Sequence, residues 1–129
     1  MMFSLFNLFG RSAALKAVDY ALRQAGLHPI LVPEAVKLTI LKLHRTEAGA
    51  EARSADGPYD EAAQLFAYCM LGRDEFIESN SVPVANRVER RFESAISAGD
   101  SFDAQIILLS LHSGLIAAEI ADRIDVEKE

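Results

Sequence analysis

Apolar residues recur along this chain at three- and four-residue intervals, the spacing that lines one face of an α-helix. The first ten residues, Met1 to Gly10, are apolar almost throughout. Ser4, Asn7 and the following Arg11 fall on one helical stripe, and Phe3, Leu5, Phe6, Leu8 and Phe9 cover the rest. A short greasy helix is expected there. A second helix follows, with Ser12 as its cap, because a serine hydroxyl can accept from a free amide one turn in. Leu15, Val18, Leu22 and Ala25 form its inner stripe. Gly26 supplies the left-handed residue that ends a helix, and Leu27 can fold back on Leu22.

Pro29 and Pro33 bracket a connector from His28 to Val32. Pro33 suits the first turn of a helix, and Glu34 complements the positive end of its dipole. That helix is expected to run to about Arg45, with Lys42, His44 and Arg45 suiting its negative end. One signal competes: Val36 to Ile40 alternates apolar and polar as a strand would, so strand and helix both stay open over 36–43. Length and the Pro-Glu start favour the helix.

Thr46 to Pro58 holds Gly49, Ser54, Asp56, Gly57 and Pro58 and no apolar period, which predicts a loop. Asp60 is expected to cap a helix with Ala62, Phe66, Cys69 and Met70 inward. Gly72 ends or interrupts it. Asp74 to Asn80 reads as helical, with Phe76 and Ile77 inward. Ser81 and Pro83 open the next helix, whose stripe is Val84, Val88, Phe92, Ala95 and Ile96 and which Gly99 closes.

The last helix is expected from Ser101 to about Ile124. Phe102, Ile106, Leu109, Ile116, Ile120 and Ile124 make one row; Ile107, Leu111, Leu115 and Ala118 make a second. So wide an apolar arc predicts contact on several sides. Gly114 in its middle costs about 1 kcal/mol relative to alanine, which a close backbone crossing would explain. The charged tail, Asp125 to Glu129, is expected to fray. There is no internal repeat. The fold expected is an all-α, compact bundle of five or six helices in one domain over residues 1–129, with the hydrophobic C-terminal helix at its centre.

Composition fits that picture. Of 129 residues, 50% are hydrophobic and 25% charged, the balance of a globular chain. A chain this long buries roughly two thirds of its unfolded surface. Thirteen basic residues against nineteen acidic ones leave a net charge of −6, which repels a phosphate backbone, so nucleic acid is not an expected partner. Cys69 is the one cysteine and lies in an apolar stretch, which suits a buried thiol. No run approaches the ~20 apolar residues of a membrane span. Met1 to Phe9 lacks the cationic start and cleavage site of a secretory signal, and a cytoplasmic location is expected.

Candidate chemistry is sparse. His28 sits in a turn, His44 at a helix end and His112 on the last helix. Neither the His-Glu-x-x-His of zinc hydrolases nor the Glu-x-x-His of di-iron bundles occurs. His44 and Glu47 could share a ligand, but one pair is not a site, and no metal or cofactor is expected. Gln105, His112 and Glu119 are spaced by sevens and would line one polar stripe, either a solvent edge, a subunit contact or a ligand contact. Arg87, Arg90 and Arg91 could grip a phosphate or carboxylate, but the interleaved Glu89 and Glu93 suit a salt-bridged face better. No nucleophile elbow or phosphate loop is present. The pairs Asp60-Glu61 and Asp74-Glu75 sit at helix starts, where the dipole explains them.

The greasy N-terminal segment can fold back on its own bundle, cover a partner or second copy, or lie in a membrane surface. Membrane-surface helices carry several basic residues, and this one offers only Arg11 and Lys16. Two functional readings follow. The first is a non-enzymatic interaction module, a homodimer joined through Phe3, Phe6 and Phe9 or through Gln105, His112 and Glu119. The second is a small-molecule-binding or enzymatic bundle. Its pocket would be lined by Tyr20, Phe66, Tyr68 and Phe92, with His112 or an arginine orienting the ligand.

Overall fold

Seven of the twelve residues of the helix Asp60–Leu71 are buried, from Ala62 and Ala63 through Cys69. It is apolar nearly all round, so other helices must surround it. The computed structural model describes residues 2–48, 59–98 and 101–128, and side chains for 13–44, 59–97 and 101–124. In chain order the α-helices are α1 (Met2–Gln24), α2 (Glu34–Ala48), α3 (Asp60–Leu71), α4 (Arg73–Ser79), α5 (Val82–Ala98), α6 (Phe102–His112) and α7 (Ala118–Lys128), with a 3-10 turn at Pro29–Leu31. The fold is the expected all-α bundle, with seven α-helices among the described residues rather than five or six.

α3 packs against α1, α4, α5 and α6, while α6 in turn meets α2, α3 and α5. The two together form the centre. Phe66, Tyr68, Phe76, Phe92, Leu22, Ile40 and Ile106 are among the largest side chains fully closed off in the core. The inner stripe of α5 is as expected: Val88, Phe92 and Ala95 are buried, with Val84 and Ile96 packed at its edges.

Local endings follow backbone chemistry. Gly26 takes φ +95°, and the Leu27 amide returns to the Leu22 carbonyl at 2.9 Å, the closure expected for α1. The His28 Nδ1 accepts from the Ile30 amide at 3.2 Å and so shapes the turn that follows. Ser101 Oγ accepts from the Ala104 amide at 3.1 Å and starts α6.

Several boundaries differ from the sequence reading. α1 is continuous from Met2, so Ser12 lies inside a helix rather than at the start of one. Residues 36–43 are helical, and α2 carries on through Thr46 to Ala48, where the loop was expected to have begun. Val36, Ile40 and Leu41 are its buried face, a helical spacing that tertiary packing prefers over the strand-like alternation. Tyr59, not Asp60, stands at the start of α3, and no side chain caps it. Residues 49–58, Gly99 and the side chains of the 125–129 tail lie outside the described residues, although the α7 backbone is helical through Lys128.

The largest correction concerns the last helix. It is not one element from Ser101 to Ile124 but α6 and α7, separated by the turn Ser113–Ala117. Gly114 takes φ +77°, and no atom lies within 4 Å of where its Cβ would stand. Backbone handedness, not a close crossing, is what the glycine provides.

Candidate functional site

Among the described residues a dense polar arrangement joins α3, α4, α5 and α7. Gly72 breaks the chain between α3 and α4 and places Arg73 at the start of α4. Arg73 donates through Nη1 to Glu89 Oε1 at 2.6 Å and through Nη2 to Asn86 Oδ1 at 2.8 Å. Its backbone N–H donates to Glu119 Oε2 at 3.3 Å, so a carboxylate from α7 closes the amide end of α4. Arg123 of α7 donates through Nη1 to the Tyr68 hydroxyl at 2.9 Å and through Nη2 to Glu93 Oε2 at 3.3 Å. The same Nη2 lies 3.6 Å from Glu89 Oε2. Glu89 therefore stands between two guanidinium groups. The Arg123 guanidinium also sits 4.6 Å above the centre of the Phe92 ring, a cation–π contact.

Below this clamp the chemistry turns apolar. The Tyr68 ring is closed off and packs edge-on to Phe76 at 5.7 Å and tilted to Phe92 at 5.8 Å. Burial pushes the Tyr68 hydroxyl up to about 12, against the pull of Arg123. Cys69 beside it is fully closed off, and burial pushes its thiol up to about 12, although Ser110 and Arg123 act in the opposite direction. Ser110 is a buried polar residue and donates to the Ile107 carbonyl at 2.7 Å. A neutral phenol and a neutral thiol are poor bases and nucleophiles near neutral pH. The arrangement is suited to holding helices together.

The candidate residues from the sequence are dispersed. Arg91 is bidentate with Asp103 of α6, at 3.0 and 2.8 Å, and ties α5 to α6. Arg87 and Arg90 are exposed. Arg90 lines a shallow groove of about 560 Å³ with Glu93, Ser94 and Ser97. The three arginines thus do not converge. Gln105 and His112 are exposed on α6, but Glu119 lies beyond the Gly114 turn on α7, so the three do not share a stripe. Phe3, Phe6 and Phe9 all fall on α1, and their side chains lie outside the described residues.

Of the expected pocket aromatics, Phe66, Tyr68 and Phe92 are sealed in the core, while Tyr20 is 63% exposed. Tyr20 lines a groove of about 260 Å³ between α1 and α3 with Gln24, Asp60 and Gln64. His44 packs on Tyr59 at 4.7 Å and Phe102 at 6.5 Å; the side chain of Glu47 lies outside the described residues. Among the described residues there is no group of three or more His, Cys, Asp or Glu side chains placed to hold a metal ion.

Sequence reasoning missed Arg73, Tyr68 and Arg123 as a unit. It read Glu89 and Glu93 as partners of the arginines on their own helix, whereas Arg73 and Arg123 bind them. A weak signal existed: Arg123 lies next to a buried row, between Ile120 and Ile124, where a charge needs a partner.

Among the described residues no helix is long and apolar enough to cross a membrane. Comparison with known protein families, with characterised proteins and with solved structures returned no match.

Proposed function

We propose that this protein is a non-enzymatic interaction module that pairs with a second copy of itself through the N-terminal half of α1. The observation that carries this reading is a mismatch of lengths. α1 has 23 residues, about 34 Å at 1.5 Å per residue, whereas its neighbours α3 and α2 have 12 and 15, about 18 and 22 Å. Ala14 and Leu15 pack against the edge of the core, and Val18 is the first fully buried side chain among those described in α1. The sequence ahead of it, with Phe3, Phe6 and Phe9, is the most apolar part of the helix. A long helix with an apolar end gains by pairing that end with an identical helix.

The same reading places the protein in the cytoplasm, where a single unpaired cysteine such as Cys69 is ordinary. It assigns no cofactor and no nucleic-acid partner, in keeping with the net charge of −6.

Molar mass by light scattering tests it, on the full chain and on the variant Phe3→Glu/Phe6→Glu. A dimeric parent and a monomeric, equally helical variant support the reading. A parent that stays monomeric at high protein concentration removes it.

A further inference from the structure

The turn between α6 and α7 depends on one residue. The amides of Gly114, Leu115 and Ile116 return to the carbonyls of Leu111, Ser110 and Ser110, at 3.1, 3.1 and 3.2 Å. The φ of +77° at Gly114 makes that reversal possible, and open space surrounds the position. Yet the sequence carries the helical period straight through the turn. Ile106, Leu109, Ile116, Ile120 and Ile124 keep three-, four- and seven-residue spacing, and no proline falls between Phe102 and Ile124. A single straight helix over that span is therefore a second conformation open to the same residues.

Among the described residues of α7 the buried side chains are Ile120 and Ile124, and the polar anchors are Arg123 on Tyr68, Glu89 and Glu93 and Glu119 on the Arg73 amide. Straightening the turn would carry these groups away. It would leave two isoleucines in water, a phenol without its donor, and Glu89 and Glu93 short of a cation. The seat left behind matches one segment by construction, which is another α7.

We infer that the Ser113–Ala117 turn is a hinge, and that its straightening lets two copies of this chain exchange their α7 helices. In the exchanged pair Ile120, Ile124 and Arg123 of each copy occupy the seat of the other. Every contact of the bent form is then remade, and only the two hinges and the cost of association separate the two states. The inference does not rest on pairing through α1.

Two variants of the full chain, Gly114→Ala and Gly114→Asn, separate backbone handedness from bulk, because both add a side chain to the same open space. Alanine opposes the left-handed turn and favours the helix; asparagine tolerates the turn and is the poorer helix former. Molar mass across a concentration series should show Gly114→Ala shifted toward dimer, roughly tenfold or more per hinge from these preferences, with Gly114→Asn close to the parent. The measurement is repeated in the Phe3→Glu/Phe6→Glu background. A shift that persists there belongs to the hinge whatever becomes of the α1 reading. Equal masses for the alanine and asparagine variants, or a shift that vanishes in that background, overturns the exchange.

Discussion

The Arg123 guanidinium donates to the Tyr68 hydroxyl at 2.9 Å, joining residues fifty-five positions apart and fixing α7 to the central helix α3. The bond is made at the edge of the core, where the phenol ring is closed off and the arginine is partly open to water. Replacing Arg123 by methionine keeps much of the side-chain length but takes the guanidinium donor from the buried Tyr68 hydroxyl and from Glu93, and leaves Glu89 with Arg73. A loss of about 1–3 kcal/mol is expected, read from urea unfolding at constant slope. Tyr68→Phe should cost less, about 1 kcal/mol, and in its background the Arg123→Met loss should shrink.

Stability should fall on the alkaline side. Cys69 and Tyr68 ionise in the unfolded chain near their ordinary values of 9.0 and 10.0, but burial holds both neutral in the fold to about 12. Raised folded values mean that the stabilisation is complete below pH 9 and is lost as pH climbs from 9 to 12. Urea midpoints between pH 7 and 11 should be level at first and then drop. In Cys69→Ala the drop should start later, nearer pH 10, from a lower plateau. A midpoint that holds level to pH 11 in the parent would contradict the burial of both groups.

Cys69 should also be inert toward thiol reagents in the native protein. It is 0% exposed, and its thiol stays protonated at the pH of ordinary labelling. Labelling at pH 8 should be slow and should accelerate sharply across the urea transition. Rapid stoichiometric labelling without denaturant would place the thiol elsewhere.

The three arginines of α5 should behave differently from one another. Arg91 makes two parallel bonds to Asp103 that a lysine cannot reproduce, so Arg91→Lys should lose on the order of 1 kcal/mol. Arg87→Ala and Arg90→Ala, at exposed positions, should stay within about 0.5 kcal/mol of the parent. Thermal melts of the three side by side decide it.

Much of the fold was legible because it depends on local chemistry. Gly26 with Leu27, the Pro33–Glu34 start and the Val88–Phe92–Ala95 stripe each declare themselves within a few residues. Gly114 did not, because a glycine within an unbroken apolar period reads equally as a costly helix residue or as a left-handed turn. The packing of Ile120 and Ile124 back onto the bundle, with the bonds of Ala117, Glu119 and Arg123, selects the turn. The clamp was hidden for a different reason. Arg90 stands three residues before Glu93, and Arg87, Arg90 and Arg91 flank Glu89 within two positions, so a local reading pointed both glutamates to neighbours on the same helix. Their actual partners, Arg73 and Arg123, sit sixteen or more positions away in sequence and meet them only in the folded chain.

The Ala117 amide donates to the Cys69 carbonyl at 2.8 Å, at the C-terminal end of α3. During synthesis that carbonyl leaves the ribosome well before the amide that satisfies it. α6 and α7 follow α3 by several tens of residues, so the nascent chain must carry this apolar helix half-covered until they arrive. Whatever shields α3 in that interval, whether a chaperone or the α1 and α2 helices already made, bears on how much of the newly made protein escapes aggregation.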